Sequence, residues 1–457
     1  MRQRLFSRGI EALLLALVAL VALLGFTIAQ VTSQLQQDAN PLSGLLRAWV
    51  PPAVLAVSLF AIHSLLWWRR VETEQIILPI VGLLMAIGLT MLWRLRPSWA
   101  VWQQLVRGFV PGGVVMALLI VSPTLVERIR HDWPVTISLV GLALLLATAF
   151  VGVTDEAGAR LALKIGPLPA IQTSEVVKLS LVIFLAWYIE SEGEAAQGRA
   201  RSFGWLRLPA VRYFIPGTLF VSLATLALVK MSDFGAILVL GFLFVTMLYV
   251  GFERRIFFTI VTIGLGLSLI VGGTLAIFWQ VPAVIQQRFI GFVNPWSDEP
   301  LLINGQPTGI TIAQGPGYQI QQAIYAIVDG GITGTGISLG TPENVPLVHS
   351  DFVFAAIAEE LGAIGALAVL TCFAILLLRI LRVVVMLPAR QVFERLLLVG
   401  IGAHLLIQVF VMVGGTVNLL PVTGVTVPFL SQGGMALTVN LIEIGLVLTL
   451  AQRLSCG

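Results

Sequence analysis

Long apolar runs, separated by short polar segments, make up most of this chain. Twelve of them approach or reach the roughly 17–25 residues that an α-helix needs to cross the hydrocarbon core of a bilayer. They lie near residues 10–30, 49–68, 77–93, 105–122, 134–153, 174–190, 214–229, 233–251, 256–278, 352–378, 396–417 and 427–452. The break at residues 230–233 is the shortest, so the seventh and eighth runs could also form one bent hairpin. The pattern predicts an all-α polytopic membrane protein with about twelve transmembrane helices.

Composition excludes a water-soluble protein. Apolar residues make up 58% of the 457 residues and charged residues only 11%, which is too little charge to cover a soluble surface of this size. The first apolar run is too long for the core of a signal peptide and lacks a small-residue cleavage site, so we expect a retained helix. The chain carries no phosphate-binding loop, dinucleotide fingerprint or zinc spacing, and its two cysteines imply no disulfide.

The distribution of Lys and Arg predicts the orientation in the membrane. With the N-terminus in the cytoplasm, most of these residues fall in cytoplasmic segments, as at Arg69-Arg70 and Arg254-Arg255. Both termini are therefore expected on the cytoplasmic side of the membrane. The net charge of +4 then reflects membrane orientation, and no nucleic-acid partner is needed to explain it.

One segment outside the spans is long, namely residues 279–351, which this orientation places on the external side. It is rich in Gly and Pro, and Arg288 is its one cation. Within it, the spacing of apolar residues from Gly317 to Asp329 is typical of a short amphipathic helix lying on the membrane. Loops of this length in a compact protein are usually functional or disordered.

Ionisable and polar residues gather in the outer half of the predicted bundle. Glu175 and Lys178 are three residues apart and share a helix face, and they could simply be a neutralised pair that holds helices together. Charges within a membrane are costly and usually mark a functional site, so the group as a whole predicts a polar cavity open to the outer leaflet. Its members are Glu175, Lys178, Lys230, Asp233, Asp351, Glu359 and Asn440.

Several segments resemble motifs of the SEDS (shape, elongation, division and sporulation) family, which includes RodA and FtsW. The resemblance runs from about residue 77 to the end. The matching segments are Gln172-Thr-Ser-Glu-Val-Val-Lys178, Ser232-Asp-Phe-Gly235, Gly317-Tyr-Gln319, Gly330-Gly331, His349-Ser-Asp-Phe-Val-Phe354 with Glu359-Glu-Leu-Gly362, Leu420-Pro-Val-Thr-Gly424 and Pro428-Phe-Leu-Ser431 with Gly433-Gly434 and Asn440. The chain departs from the family pattern at Ala162, Thr173, Gln432 and Met435, and residues 297–314 look like an insertion.

The resemblance implies a membrane-embedded peptidoglycan glycosyltransferase with a ten-helix core. That core would be residues 71–457, and residues 1–70 would add two N-terminal helices. The implied substrate is lipid II, a disaccharide peptide on undecaprenyl diphosphate, and the implied partner is a class B penicillin-binding protein, a transpeptidase. Elongation, as for RodA, is favoured over division, as for FtsW, without a decisive residue.

The same resemblance matches Asp351 to an essential aspartate, which we interpret as the general base. Cations are expected to stabilise the leaving diphosphate, and a divalent ion such as Mg²⁺ or Mn²⁺ could also bridge it. Glu175, Lys178 and Glu359 are interpreted as structural or polarising residues of the cavity. The cationic candidates are Arg160, Lys164, Lys178, Lys230 and Arg288, of which Arg160 and Arg288 fit the resemblance best. Further predicted substrate-binding residues are Asp233, His349, Ser350, Gln432 and Asn440, although His349 is also a common type of loop hydrogen bonder.

Two other functions compete with the transferase. A lipid flippase or other transporter would also need many helices and intramembrane charges, but would be expected to spread them to both sides of the membrane. A non-catalytic scaffold would recruit cell-wall enzymes and would not need Asp351. The first two helices are a further hypothesis, as a docking surface for the transpeptidase.

Overall fold

The computed structural model describes residues 8–71, 74–95, 99–154, 160–164, 170–203, 206–208, 211–213, 215–262, 264 and 283–455. Apolar runs become helices because a helix satisfies its own backbone hydrogen bonds. The helices before residue 283 are α1 (Gly9–Gln36), α2 (Leu45–Trp68), α3 (Ile77–Leu95), α4 (Trp99–Gln104), α5 (Val110–Val121), α6 (Thr124–His131), α7 (Pro134–Val151), α8 (Thr173–Gly198), α9 (Ile215–Met231) and α10 (Phe234–Gly251). The later helices are α11 (Ala283–Val293), α12 (Pro316–Gly330), α13 (Val353–Met386), α14 (Val392–Thr416) and α15 (Gly434–Ser455).

Three short antiparallel hairpins connect some of the helices. They pair β1 (Val153–Thr154) with β2 (Arg160–Ala162), β3 (Arg201–Phe203) with β4 (Leu206–Leu208), and β5 (Pro300–Ile303) with β6 (Gln306–Thr311). The last of these hairpins lies in the segment that the sequence marks as an insertion.

Among the described residues, nine helices are long and apolar enough to cross a membrane. One of the nine joins α4 and α5 through a π-helical turn at Leu105–Phe109. The runs predicted at 174–190 and 214–229 are helical as well, in α8 and in the shorter α9. The run at 256–278 lies largely outside the described residues, so the total of twelve spans stays a prediction.

The structure defines the boundaries of the seventh, eighth and last predicted spans. The seventh and eighth runs form two separate helices, α9 and α10, joined by a tight turn in which Ser232 has a φ of 62°. The last span was predicted to begin at residue 427, but α15 begins at Gly434. The residues before it form an irregular segment, in which Pro428 lacks a backbone N–H and Gly433 disfavours a helical conformation.

The helices differ in how much of their surface other helices cover, and the most covered ones form a central group. In α3 and α15, 83% of the most apolar stretch is buried, against 28% in α1 and α13. The exposed apolar side chains of the outer helices are suited to contact with lipid tails. We call the end of the bundle that carries residues 283–351 the loop end, and the candidate site lies there.

The N-terminal pair α1 and α2 packs against α3 and is anchored at the end opposite the loop end. There the buried Arg8 guanidinium donates hydrogen bonds to Glu11, to the Val71 carbonyl and, at 2.9 Å, to the Glu74 carbonyl. The sequence predicts residues 1–70 as an addition to the core. These contacts connect that addition to the core residues Val71 and Glu74.

The loop end is built around a break in α13. At Gly362 the backbone is non-helical, with φ 69° and ψ −173°. The carbonyls of Glu359 and Glu360, released by the break, accept hydrogen bonds from the backbone N–H groups of Thr335 and Gly336, both at 2.9 Å. The glycine-rich segment after α12 therefore fills the gap in the helix and satisfies its backbone groups.

The helix predicted at residues 317–329 is present as α12, and it packs against α13. The contact is close enough that a Cβ at Gly330 would lie 2.0 Å from the Ala358 carbonyl oxygen. The position of α12 is therefore determined by its packing against α13 as well as by its amphipathic character.

Candidate functional site

Asp351 lies in the last turn before α13, at the loop end. Its backbone N–H donates to the Leu347 carbonyl at 3.1 Å, which closes a turn and places the side chain beside the irregular segment that precedes α15. Asp351 as a whole residue is half-buried. Asp351 therefore remains accessible while its environment is less polar than water.

Arg288 and Gly424 both lie near this carboxyl group. Arg288, on α11, donates from Nη1 to the Thr423 carbonyl at 3.1 Å. Gly424 follows with a φ of +73°, and a Cβ there would lie 3.4 Å from Asp351 Oδ2 and 3.9 Å from Arg288 Nη2. The Asp351 carboxyl group and the Arg288 guanidinium thus both border the space beside Gly424, a residue that has no side chain.

The pKa of Asp351 is raised to about 6, chiefly because burial disfavours the charged form. A hydrogen bond from Ser350 and the positive charge of Arg288 lower this pKa, while the negative charge of Asp233 raises it. The single Ser350 hydroxyl proton can go to this carboxylate or to the Leu347 carbonyl, 3.1 Å away. A carboxyl group with this pKa is ionised at neutral pH and is basic enough to accept a proton.

Asp233 lies at the turn between α9 and α10 and links Asp351 to a second charged group. Its side chain caps α10 by accepting from the Ala236 N–H at 3.0 Å. Burial raises the pKa of Asp233, and the positive charge of Lys178 opposes that shift. The charge of Lys178 therefore influences the pKa of Asp233, and the charge of Asp233 influences the pKa of Asp351.

Glu175 and Lys178 form a buried ion pair on α8. Lys178 Nζ lies 2.7 Å from Glu175 Oε1, and both side chains are at most 5% exposed. Gln408 of α14 donates to the other Glu175 oxygen at 3.3 Å. The pair therefore neutralises itself and ties α8 to α14.

Hydrogen bonds to residues 427–433 hold this irregular segment in place. Gln104 donates to the Ser431 carbonyl and accepts from the Gly433 N–H, both at 2.9 Å. The Gln432 N–H donates to the His349 carbonyl, also at 2.9 Å. The predicted residues His349 and Gln432 are thus joined through their backbones, two residues from Asp351.

The structure does not bring every predicted site residue to Asp351. Glu359 accepts a hydrogen bond from the Thr341 N–H at 2.6 Å and so holds the loop beside the break in α13. The exposed Lys230 places its ammonium 3.4 Å from the centre of the Phe150 ring. Asn440 is fully buried in α15, and neither its side-chain nitrogen nor its oxygen has a hydrogen-bond partner among the described residues. The Arg160 side chain lies outside the described residues.

Sequence reasoning missed three residues that organise the site. They are Arg94, Gln104 and Gln408, each in or next to an apolar run. Polarity within a predicted span was the available signal, since such groups need a partner. Which partner each residue has depends on how distant helices pack, and one sequence does not give that.

Among the described residues no group of three or more His, Cys, Asp and Glu side chains is arranged to hold a metal ion. The two carboxylates Asp351 and Asp233 are close enough to influence each other electrostatically. Mg²⁺ is often bound by one or two carboxylates together with substrate phosphates. Binding of a divalent ion by these two residues stays a prediction.

The chain is similar to proteins of one known family over most of its length. The model of the FtsW, RodA and SpoVE family, described as "Cell cycle protein", matches residues 71–455. Peptidoglycan glycosyltransferase RodA of Mycobacterium tuberculosis is 30% identical over 398 residues, which cover 84% of this chain and 78% of the relative. Stage V sporulation protein E of Bacillus subtilis is 29% identical over 84% of this chain and 98% of the relative.

Solved structures show the same arrangement of helices. A chain from a structure titled "Structural coordination of polymerization and crosslinking by a peptidoglycan synthase complex" matches with a TM-score of 0.62 and 25% identity, over 82% of this chain and 96% of that one. The crystal structure of Thermus thermophilus rod shape determining protein RodA matches with a TM-score of 0.51 and 25% identity, over 82% and 94%.

Proposed function

Because this chain belongs to the FtsW, RodA and SpoVE family, we propose that it is a peptidoglycan glycosyltransferase that polymerises lipid II at the outer face of the cytoplasmic membrane. The activity class is that of its curated relatives. The observation that carries the assignment of the site is that the Asp351 carboxyl group and the Arg288 guanidinium both border the space beside Gly424.

In the proposed reaction, Asp351 is the general base. The 4-hydroxyl of the acceptor sugar gives its proton to the carboxylate as its oxygen bonds to the anomeric carbon of the donor. The bond from that carbon to the diphosphate oxygen breaks, and undecaprenyl diphosphate leaves with the bonding electrons. A positioned base typically contributes about 10²–10⁴-fold to such a step.

Arg288 is proposed to stabilise the negative charge of the leaving diphosphate. Its hydrogen bond to the Thr423 carbonyl fixes the guanidinium near Asp351. A fixed cation needs little rearrangement as charge develops on the leaving group, which is the main advantage of a preorganised site. A divalent cation held by Asp351 and Asp233 would add positive charge there, and this stays a prediction.

Asp233 and the Glu175–Lys178 pair are proposed to support Asp351 electrostatically. The negative charge of Asp233 helps to keep the pKa of Asp351 high enough for a base, while the buried pair limits how much negative charge accumulates. Lys178 therefore acts through Asp233 in this proposal, which assigns it no contact with the substrate.

Transport is the less supported alternative. The curated relatives are named glycosyltransferases, which favours transfer over transport.

The proposed orientation has both termini in the cytoplasm and the loop end outside, where lipid II would be accessible. A class B penicillin-binding protein is the proposed partner, by analogy with the peptidoglycan synthase complex.

The test is an assay with fluorescent lipid II on purified complexes of wild type, Asp351→Asn and Asp298→Asn with a candidate transpeptidase. Asp298 is an exposed carboxylate of the same loop and serves as the matched control. Glycan polymer from wild type and Asp298→Asn, with a loss of at least about 100-fold in Asp351→Asn, supports the proposal. Equal polymer from all three removes Asp351 from the role. No polymer from a folded wild-type complex, with lipid II flipping in liposomes, favours transport.

A further inference from the structure

The N-terminal pair reaches the loop end as well as the opposite end. The family model begins at residue 71, so α1 and α2 lie outside the part that relatives define. At the end of α1, Gln36 Nε2 donates to the Ser338 carbonyl at 2.8 Å. The Ser338 hydroxyl in turn lies 3.4 Å from the Ala29 carbonyl oxygen of the same helix. Ser338 is therefore held from two sides by α1.

Ser338 has a strained backbone. Its φ is 64°, a left-handed conformation that residues other than glycine rarely adopt. The residue is only 1% exposed. A strained conformation persists only where the surroundings impose it, and here the two contacts from α1 are part of those surroundings.

The segment that contains Ser338 contacts the broken helix. The Gly336 backbone N–H donates to the Glu360 carbonyl at 2.9 Å, and the Glu360 carboxylate lies 2.9 Å from Arg94 Nε. Arg94 Nη2 donates to the Gly340 carbonyl at 2.9 Å. Glu360 is two residues before the break in α13. The half-helix that ends at this break begins at Val353, two residues after Asp351.

We propose that α1 is a positioning element of the glycosyltransferase. Through Gln36 and Ser338 it holds residues 334–340 in the gap of α13 and so fixes the half-helix that starts beside Asp351. This inference rests on the proposed function, since its catalytic consequence is a slower proton transfer when the base is less well placed. Small misplacements of a reacting group are enough to slow catalysis.

Two nearly isosteric or donor-preserving changes test the contact. In Gln36→Glu the amide donor is replaced by a carboxylate that faces the Ser338 carbonyl, whereas Gln36→Lys keeps a donor. Gln36 is exposed, so neither change should prevent folding. Gln37→Glu, one residue further along and also exposed, is the control for added charge.

We expect Gln36→Glu to lower kcat about three- to tenfold with KM unchanged, the range that one hydrogen bond supports. Gln36→Lys and Gln37→Glu should keep kcat within about twofold of wild type. Hydrogen exchange at the amides of residues 334–340 and 355–363 should become faster in Gln36→Glu alone. A rise in KM instead of a fall in kcat would also contradict positioning.

The exchange measurement separates this inference from the proposed function. If wild type forms no polymer, the proposed function fails whatever the exchange shows. If wild type polymerises lipid II and Gln36→Glu changes neither kcat nor exchange, the role of α1 is wrong and the proposed function stands.

Discussion

At the scale of single residues, the site depends on how buried charges are paired. Asp351 and Asp233 are like charges near each other, and Lys178 offsets the second of them. The motif residues Asp351, Asp233, Glu175 and Lys178 could be identified from sequence because charge is rare in apolar runs. The hydrogen bond from Gln408 to Glu175 could not, because it joins residues far apart in the chain.

Removing one partner of the buried pair should destabilise the protein more than removing both. Lys178→Met leaves the Glu175 carboxylate buried without its cation, and such a loss typically costs about 3–5 kcal/mol. In the double variant Glu175→Gln, Lys178→Met the carboxylate of the pair is removed together with its cation. We expect thermal unfolding in detergent to show a large drop in Tm for Lys178→Met and a smaller one for the double variant.

Glu127→Gln is the control for this comparison. Its ion pair with Arg453 is largely exposed, with Glu127 at 59%, and should contribute at most about 1 kcal/mol. A double variant less stable than Lys178→Met would show that the pair does more than neutralise itself.

At the scale of elements, apolar runs predict helices well and their ends poorly. The amphipathic spacing at residues 317–329 gave α12 correctly. The break at Gly362 is different, because α13 is largely apolar on both sides of it and Gly362 is one of two glycines in this helix. Its cause is the tertiary fit of residues 334–336, which replace the missing helical hydrogen bonds.

Gly362→Ala should therefore be strongly destabilising. A Cβ there would lie 2.3 Å from the Gly334 nitrogen and 2.4 Å from the Ile332 carbonyl oxygen, and the positive φ disfavours any side chain. Either the break closes or the loop moves. Gly113→Ala, in α5 with nothing within 4 Å of its new Cβ, should keep the wild-type Tm. Equal Tm values for the two variants would mean that the break is not needed for the fold.

At the scale of the whole molecule, the loop end and the opposite end differ in chemistry. Arg453, Glu394 and Arg130 meet at the opposite end, which the distribution of Lys and Arg predicts to be cytoplasmic. The loop end carries the candidate site and the hairpin β5–β6. The distribution of Lys and Arg predicts the direction of each span, whereas the contact of α1 with Ser338 could be found only in the packed structure.

This orientation predicts which cysteines a membrane-impermeant maleimide can label. In a background with Cys372→Ala and Cys456→Ser, Asp298→Cys should be labelled on intact spheroplasts. Glu194→Cys, exposed near the end of α8, should be labelled only after the membrane is opened. The reverse pattern would invert the orientation and place Asp351 in the cytoplasm.

The most direct test of the catalytic assignment is the initial rate of lipid II polymerisation between pH 5 and pH 8. Asp351 accepts a proton only when ionised, so we expect the wild-type rate to fall as pH drops below about 6. Asp233→Asn retains a capping side chain but removes a like charge, which should move this fall to lower pH. Arg288→Gln removes a positive charge and should move it to higher pH while weakening the reaction. A wild-type rate independent of pH in this range, or a fall that neither variant moves, would contradict Asp351 as the base.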